Sequence, residues 1–288
     1  MSVAASSERA ARLGREGVAQ LMHLLEVDFG RAVQPGEGVS VNQFLLDALD
    51  RGEHRAMTVY PADEPVGVCY VGSGGLVVPA GQPSAAQPLA AAVRSSGWRV
   101  LVGDLAVGEV IVDQSSAGLF RRRPYAREQR LMTTDALTVS GDHCAGLRRA
   151  VMGDLERLTD FACGLHVEDQ MGPPLSRSGR AAVQQRVATS IRRETSWVVE
   201  VEGGQVAAKI DVSIESRRRG AQLAGVFVDR RWRGRGVARR GIADLSRRLL
   251  QAGMPCVTLH VRVDNAPAIR AYEAAGYIQR RRWLLALR

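Results

Sequence analysis

The feature that most constrains the fold is a β-rich run that enters a glycine-rich turn and then a helix, all within residues 226–238. The turn reads RGRG over residues 233–236. Glycine has no Cβ, so an anion can reach the backbone N–H groups at the helix start, which lack partners within the helix and lie at the positive end of its dipole. The two arginines add positive charge. The sequence therefore predicts a pyrophosphate-binding turn.

This turn differs from two other phosphate-binding motifs. A Walker loop would continue into Gly-Lys-Ser/Thr, and no lysine follows residues 233–236. A Rossmann turn would need a third glycine three residues after Gly236, where Arg239 stands instead.

A second motif follows the next predicted strand, residues 256–263. Asn265 precedes Pro267, which is typical of a helix that begins with a side-chain cap and an early proline. Ala268 and Tyr272 are four residues apart and share one face of that helix, with Asn265 one turn further back. We therefore expect an amide and a phenol beside the end of the strand.

Together the two motifs resemble those of the GNAT superfamily of acyl-CoA-dependent N-acetyltransferases. In that family, Arg/Gln-x-x-Gly-x-Gly/Ala follows the fourth strand and Asn-x-x-Ala-x-x-x-Tyr follows the fifth. Two motifs in the right order, each on the expected element, make the resemblance specific, and it covers roughly residues 147–288. The matching residues are Arg233, Gly236, Ala238, Asn265, Ala268 and Tyr272, followed by a Gly-Tyr pair at 276–277.

The resemblance implies acetyl-CoA as cosubstrate, no metal, and direct attack of an amine on the thioester. Residues 226–228 would splay from a neighbouring strand and bind the pantetheine and acetyl group through their backbone, and the amides of residues 234–238 would hold the pyrophosphate. Asn265 would orient the pantetheine arm, and Tyr272 would donate a proton to the departing thiolate. The implied cofactor-binding residues are Val226, Phe227, Val228, Arg233, Gly234, Arg235, Gly236, Val237, Ala238, Asn265, Ala268 and Tyr272.

The group that takes the amine proton is the least defined part of the predicted site. A lysine-like amine has a pKa of about 10.4, so a base or a water chain must accept a proton before attack. Many family members place Glu or His where this chain has Gln222, whose amide is no base and is expected to serve acceptor binding. Gln222 and Glu168 join Tyr272 as the candidate catalytic residues. Asp211, Glu215 and water are the alternatives.

Helices and strands alternate in a similar order in both halves, which predicts an α/β (α+β) fold of two domains. Residues 1–142 resemble a degenerate GNAT-like domain that lacks both motifs, and residues 143–288 resemble an acetyl-CoA-binding GNAT domain in tandem with it. Each is expected to be a mixed, mostly antiparallel sheet flanked by helices. The second half is predicted to contain helices 147–166, 181–193, 237–252 and 266–275 and strands 196–201, 206–214, 222–228, 256–263 and 277–287.

Composition narrows the partners and the compartment. The net charge is +9, and residues 217–288 carry 17 arginines against 4 acidic residues, which suits a nucleotide cofactor or a nucleic acid. The four cysteines form no CxxC pair and the five histidines have no metal spacing. No apolar run reaches the roughly 18 residues of a membrane span. We expect a cytoplasmic protein with no metal and no membrane partner.

The predicted function is N-acetylation of a primary amine, carried by a small molecule or by a protein or peptide. Two alternatives are a non-catalytic acyl-CoA-binding regulator, which the missing base favours, and an aminoacyl-tRNA-dependent transferase. The basic C-terminal segment favours the tRNA-dependent reaction, but the coenzyme A motif argues against it. Nucleic acid is therefore not the favoured partner.

Overall fold

The computed structural model describes residues 9–31, 37–116, 124–169 and 174–288. The chain divides into two compact units. The first consists of Met1–Leu131 and Arg280–Arg288, and the second of Met132–Gln279. The division after Leu131 comes before the predicted boundary at residue 142. The final segment, Arg280–Arg288, belongs to the first unit, whereas the sequence predicted it to be part of the second domain. The first unit is thus discontinuous in sequence.

In its described residues, the first unit contains seven strands, two of them shared in part with the second unit's sequence range, and helices that lie between strands along the chain. Its elements are β1 (Ala11–Arg12), α1 (Val18–Glu26), α2 (Glu37–Val41), α3 (Gln43–Asp50), β2 (Met57–Tyr60), β3 (Gly67–Val71), β4 (Leu76–Gly81), α4 (Ala86–Val93), β5 (Val100–Asp104), α5 (Leu105–Ser116) and the first seven residues of β6 (Tyr125–Thr134). The strands are ordered β1-β2-β3-β4-β5 and are followed by β12 (Ile278–Leu287), which pairs antiparallel with β5.

In that series only β4 and β5 run parallel; Leu76 pairs with Val100, and Val77 pairs with Leu101. The helix α4 connects these two strands, as a parallel connection requires. Leu89 on α4, Ile111 on α5 and Leu284 on β12 belong to one buried cluster, so the last strand supplies part of the core of this unit.

The second unit has the same plan. Its further elements are β7 (Leu147–Arg149), α6 (Leu155–Glu168), α7 (Arg177–Arg192), β8 (Ser196–Val201), β9 (Gln205–Ser216), β10 (Gly220–Val228), α8 (Val237–Gln251), β11 (Val257–Arg262) and α9 (Ala266–Glu273). The strands are ordered β11-β10-β9-β8-β7, with antiparallel pairing from β10 to β7 and parallel pairing between β10 and β11. The predicted fold class, a mixed and mostly antiparallel sheet flanked by helices, is confirmed.

Strand alternation in the second unit buries apolar side chains on both faces of the sheet. Val198 packs in a cluster with Leu158 of α6 and Val187 of α7. Its neighbour Val199 packs in a different cluster with Ile242 of α8. Each large side chain buried in this way contributes about 1.5–3 kcal/mol to folding. The sheet therefore lies between α6 and α7 on one face and α8 on the other.

One predicted element of the second unit is wrong in its first part. The sequence predicts a helix over 147–166, but Leu147–Arg149 forms β7 and the helix begins only at Leu155. Leu147 pairs with Val199, so an edge position on the sheet determines the conformation of this segment. The other predicted helices and strands of this half are present, with ends shifted by a few residues.

Candidate active site

The two parallel strands of the second unit separate where the first motif begins. In the described pairing, Ala221 of β10 lies opposite Val257 of β11, and the last pair is Leu223 with Leu259. The strand β10 nevertheless continues to Val228. The resemblance implied this splaying for residues 226–228. The backbone of residues 224–228 consequently has no strand partner on the side of β11 among the described residues.

On its other side, β10 carries a bulge. The register with β9 shifts between Ala224, which pairs with Asp211, and Phe227, which pairs with Lys209. Gly225 lies in this shift with φ +58°, a left-handed conformation that favours glycine. A strand with a bulge on one side and a gap on the other offers backbone groups to a ligand.

The glycine-rich turn has two glycines in the left-handed conformation. Gly234 and Gly236 both have φ +72°, and Gly236 is the residue before the first turn of α8. No atom lies within 4 Å of the position that a Cβ on Gly234 would occupy. The first N–H groups of α8 have no partner within the helix, so they and the turn are open to an anion.

The arginines of the turn are held by neighbouring side chains. Arg233 donates to the Val228 carbonyl (2.9 Å) and lies over the Phe227 ring, 5.3 Å from its centre. Its guanidinium also donates to both carboxylate oxygens of Glu168, at 2.7 and 3.0 Å. Arg235 lies over the ring of Trp232 at 5.0 Å. Arg233 is thus fixed in orientation beside the end of β10.

Glu168, one of the predicted catalytic residues, is therefore engaged in an ion-pair cluster. Besides Arg233 it accepts a hydrogen bond from Arg230 Nε at 3.1 Å, and its carbonyl accepts one from Arg262 at 2.8 Å. The structure places it beside the predicted pyrophosphate turn.

Gln222, the second predicted catalytic residue, lies before the point where the strands separate. It pairs with Ile214 on one side and Thr258 on the other, and its Oε1 accepts a hydrogen bond from Ser213 at 2.9 Å. The side-chain amide of Gln222 is therefore hydrogen-bonded to a residue of the neighbouring strand β9.

The second motif forms the predicted helix start. Asn265 is the N-cap of α9, and its Oδ1 accepts a hydrogen bond from the Ala268 N–H at 3.2 Å. Tyr272 lies on the same helix and is 6 % exposed. Burial raises the pKa of its phenol, and the negative charge of Asp169 adds to this effect. The phenol therefore keeps its proton at neutral pH.

A cavity of about 530 Å³ adjoins the bulge on the α6–α7 face of the sheet. Lys209, the single lysine of the chain, and Asp211 form an ion pair at this cavity. Asp211 also accepts a hydrogen bond from Ser196 Oγ at 2.7 Å. The apolar lining comes from Ala162, Leu165, Leu175, Ala182, Val183 and Val187, and the remaining residues are His166, Gly179, Arg186, Ser190 and Gly225.

Sequence reasoning did not single out the Lys209–Asp211 pair. Asp211 appeared only as one of several alternative bases, and Lys209 only as part of the predicted strand 206–214. Their spacing of two residues on a strand places both on one face, which could have suggested the pair. Only the fold shows that this face meets the bulge at Gly225.

The comparison with protein families agrees with this geometry. Residues 165–277 match the family described as "Acetyltransferase (GNAT) family". This segment is therefore similar to the GNAT family. It contains the splayed strands, the glycine-rich turn, α9 and the cavity residues from Leu165 onward.

Two curated relatives resemble part of the chain. Acetyltransferase SG1711 of Sodalis glossinidius is 38 % identical over 80 residues, which cover 28 % of this chain and 54 % of the relative. The L-amino acid N-acetyltransferase AaaT of Escherichia coli is 34 % identical over 79 residues, which cover 26 % of this chain and 48 % of the relative. The matched segment thus spans about half of each relative.

One solved structure shows a fold likeness that extends beyond residues 165–277. A GCN5-related N-acetyltransferase from Sphaerobacter thermophilus superposes with a TM-score of 0.59, covering 97 % of this chain and 94 % of that one at 14 % identity. At that identity the likeness concerns the fold alone.

Two further properties concern the described ranges of the chain. Within them, no helix is both long and apolar enough to cross a bilayer. The same ranges contain no group of three or more His, Cys, Asp or Glu side chains arranged to hold a metal ion.

Proposed function

We propose that the second unit transfers an acetyl group from acetyl-CoA to a primary amine by direct attack on the thioester. The observation that carries this proposal is the pair of parallel strands that opens directly into the glycine-rich turn before α8. An elongated ligand with a pyrophosphate at one end fits a gap between strands that ends at a helix N-terminus. The family match of residues 165–277 supports the same chemistry.

Within this proposal each motif has a defined role. The freed backbone of residues 226–228 binds the pantetheine and the acetyl carbonyl, and the amides of residues 234–238 bind the pyrophosphate with Arg233 and Arg235 beside them. Asn265 and Ala268 border the pantetheine arm. Tyr272 protonates the coenzyme A thiolate as it leaves, and its phenol carries the proton for this step at neutral pH.

The first unit is proposed to be a degenerate GNAT-like domain. Its strand order and its single parallel pair match the plan of the second unit. The turn after β4 lacks the arginines, and Gly81 at its start serves close packing, since a Cβ there would lie 2.4 Å from Gly67 Cα. The four cysteines are unpaired, which agrees with a reducing compartment such as the cytoplasm.

The basic C-terminal segment gives little support to a nucleic-acid partner. Many of its arginines form ion pairs with carboxylates of the protein, so their charge is partly neutralised. These are Arg230, Arg231, Arg233, Arg247, Arg248, Arg262, Arg281 and Arg282. RNA binding that weakens steeply with salt would instead support the tRNA-dependent reaction.

The rival function is a regulator that binds acyl-CoA without turnover. Two observations favour it: the amide of Gln222 is used within the sheet, and Glu168 is paired with arginines. Turnover separates the two functions. Release of free coenzyme A from acetyl-CoA should be followed with a panel of amines that includes free L-amino acids, because one relative is named as acting on them.

Cofactor binding is tested with Gly236→Asp by isothermal titration of acetyl-CoA. The new carboxylate would stand beside the pyrophosphate and within reach of Arg240, so binding should be lost. Gly253→Asp is the matched control, because Gly253 also has a positive φ (+94°) but lies at the other end of α8. Unchanged binding in Gly236→Asp would place the cofactor elsewhere.

A further inference from the structure

We propose that the cavity beside Gly225 is the acceptor site, that Asp211 takes the proton of the acceptor amine, and that Lys209 is a positioning residue that fixes Asp211. The acceptor class is a small amine with an apolar body and no second cation. This inference rests on the proposed acetyl transfer and names the substrate class and the proton acceptor of that site.

The first step is location. A Cβ built on Gly225 would lie 2.5 Å from Asp211 Oδ2 and 3.1 Å from Lys209 Nζ, so the ion pair lies directly against the backbone of the bulge. The backbone of residues 226–228, just beyond, is where the acetyl group is proposed to bind. Asp211 is therefore the carboxylate that the fold brings to the reacting carbonyl.

The second step is the state of the pair. The Lys209 side chain is 4 % exposed and donates to Asp211, whose side chain is 24 % exposed. Asp211 is thus the member that reaches into the cavity. One of its oxygens accepts from Lys209 and the other from Ser196, and a carboxylate can accept about four hydrogen bonds. It retains capacity for an amine.

The third step concerns the acceptor. The cavity volume of about 530 Å³ is in the range of small-molecule sites, and its walls are formed by the apolar residues of α6 and α7 named above. The titratable groups that face it are Lys209 and Asp211 on β9, His166 on α6 and Arg186 on α7. With one carboxylate against one lysine and one arginine, a second ammonium on the acceptor would be repelled. An apolar monoamine fits these walls and this charge.

The proton and electron movements balance with these groups. The ammonium of the acceptor gives one proton to Asp211 and becomes a neutral amine. Its lone pair forms the C–N bond to the thioester carbonyl carbon, the C–S bond breaks, and the electron pair leaves on sulfur. Tyr272 then gives its proton to the thiolate. The acetylated nitrogen loses its second proton to solvent, and solvent returns a proton to Tyr272. Asp211 finally releases the proton that it took from the ammonium to solvent.

The experiment measures kcat, KM and acetyl-CoA Kd for the full chain carrying Asp211→Asn, with an arylalkyl monoamine as acceptor and acetyl-CoA as donor. A positioned base contributes about 10²–10⁴-fold, so kcat should fall by that factor while acetyl-CoA Kd stays unchanged. Glu202→Gln is the matched control: this exposed carboxylate lies between β8 and β9, does not line the cavity, and should leave kcat unchanged.

Lys209 is tested through its coupling to Asp211. Lys209→Met should lower kcat, and Lys209→Arg, which keeps a cationic donor, should restore part of it. In the Asp211→Asn background, Lys209→Met should have no further effect, because a positioning residue has nothing left to position. The double variant also removes both charges of the ion pair together, so that Lys209 is not left buried without its partner. Additive losses would overturn the positioning role.

The outcomes are distinguishable from those of the proposed function. Wild-type kcat in Asp211→Asn or in the double variant overturns the assignment of the base while acetyl transfer stands. A wild-type chain that binds acetyl-CoA but acetylates no amine overturns the proposed function and this inference together. The acceptor class predicts that kcat/KM for the monoamine exceeds that for a polyamine by about tenfold or more; the reverse order would refute it.

Discussion

At the scale of single residues, Tyr272 is the side chain whose role is most directly testable. The change to phenylalanine keeps the buried ring and removes the proton donor. We expect kcat to fall by about 10²–10⁴-fold with little change in acetyl-CoA Kd, because the thiolate exists only late in the reaction. Steady-state kinetics with an identified acceptor measure this.

The matched control for this change is Tyr277→Phe. Tyr277 is also buried, its ring centre lies 6.2 Å from that of Tyr272, and its hydroxyl is bonded to Ser246 at 2.8 Å. Its loss should cost stability but leave kcat unchanged. Full activity in Tyr272→Phe would reduce that residue to a packing role.

His260 gives a prediction about stability against pH. Burial lowers its pKa to about 4 in the folded protein, against about 6.5 in an unfolded chain. Between these values the unfolded state binds the proton and the folded state does not, so stability falls as pH decreases from 6.5 to 4. The slope from this group reaches about 1.4 kcal/mol per pH unit.

Urea unfolding between pH 7 and 4 measures this dependence. A His260→Gln variant should show a shallower fall of the unfolding free energy over the same interval, because glutamine does not titrate. Equal slopes in the two proteins would mean that His260 is accessible to protons in the folded state.

At the scale of elements, the end of α6 and the glycine-rich turn are joined through Glu168. If this residue holds Arg233, the change Glu168→Gln keeps a hydrogen-bond acceptor and should change kcat by less than about tenfold. If it were the base, kcat should fall by about 10²–10⁴-fold. Kinetics and acetyl-CoA titration of this one variant decide between the two roles, and a shift confined to the Kd for acetyl-CoA supports the first.

At the scale of the whole molecule, the contrast between the two units predicts one acetyl-CoA per chain. Gly234 leaves open space at the turn of the second unit, whereas the space beside Gly81 in the first is occupied by the backbone of Gly67 and Val66. Isothermal titration of the full chain should give a stoichiometry near one, and Gly236→Asp should remove all of it. A residual site in that variant would show that the first unit also binds the cofactor.

The sequence predicted much of the second unit because its signals are local. The Asn265 cap and the strand, turn and helix order around Gly234 and Gly236 follow from residue types at fixed positions, and the structure has both. It failed at residues 147–149, where pairing with β8 outweighed the local helix preference. It also gave no hint that the last strand pairs with β5, because strand pairing between distant segments leaves little local trace.

The sequence by itself determined the strand, turn and helix order of both motifs, the absence of a Cβ at Gly234 and Gly236, and the position of a phenol four residues from Ala268. These follow from steric and capping preferences that act within a few residues. Only the tertiary structure decided which charged groups meet: Glu168 with Arg233, and Lys209 with Asp211 against Gly225. These contacts depend on the register of a bulged strand and on helices from distant parts of the chain. Local sequence preferences do not determine such packing, because it involves segments that are far apart in the sequence.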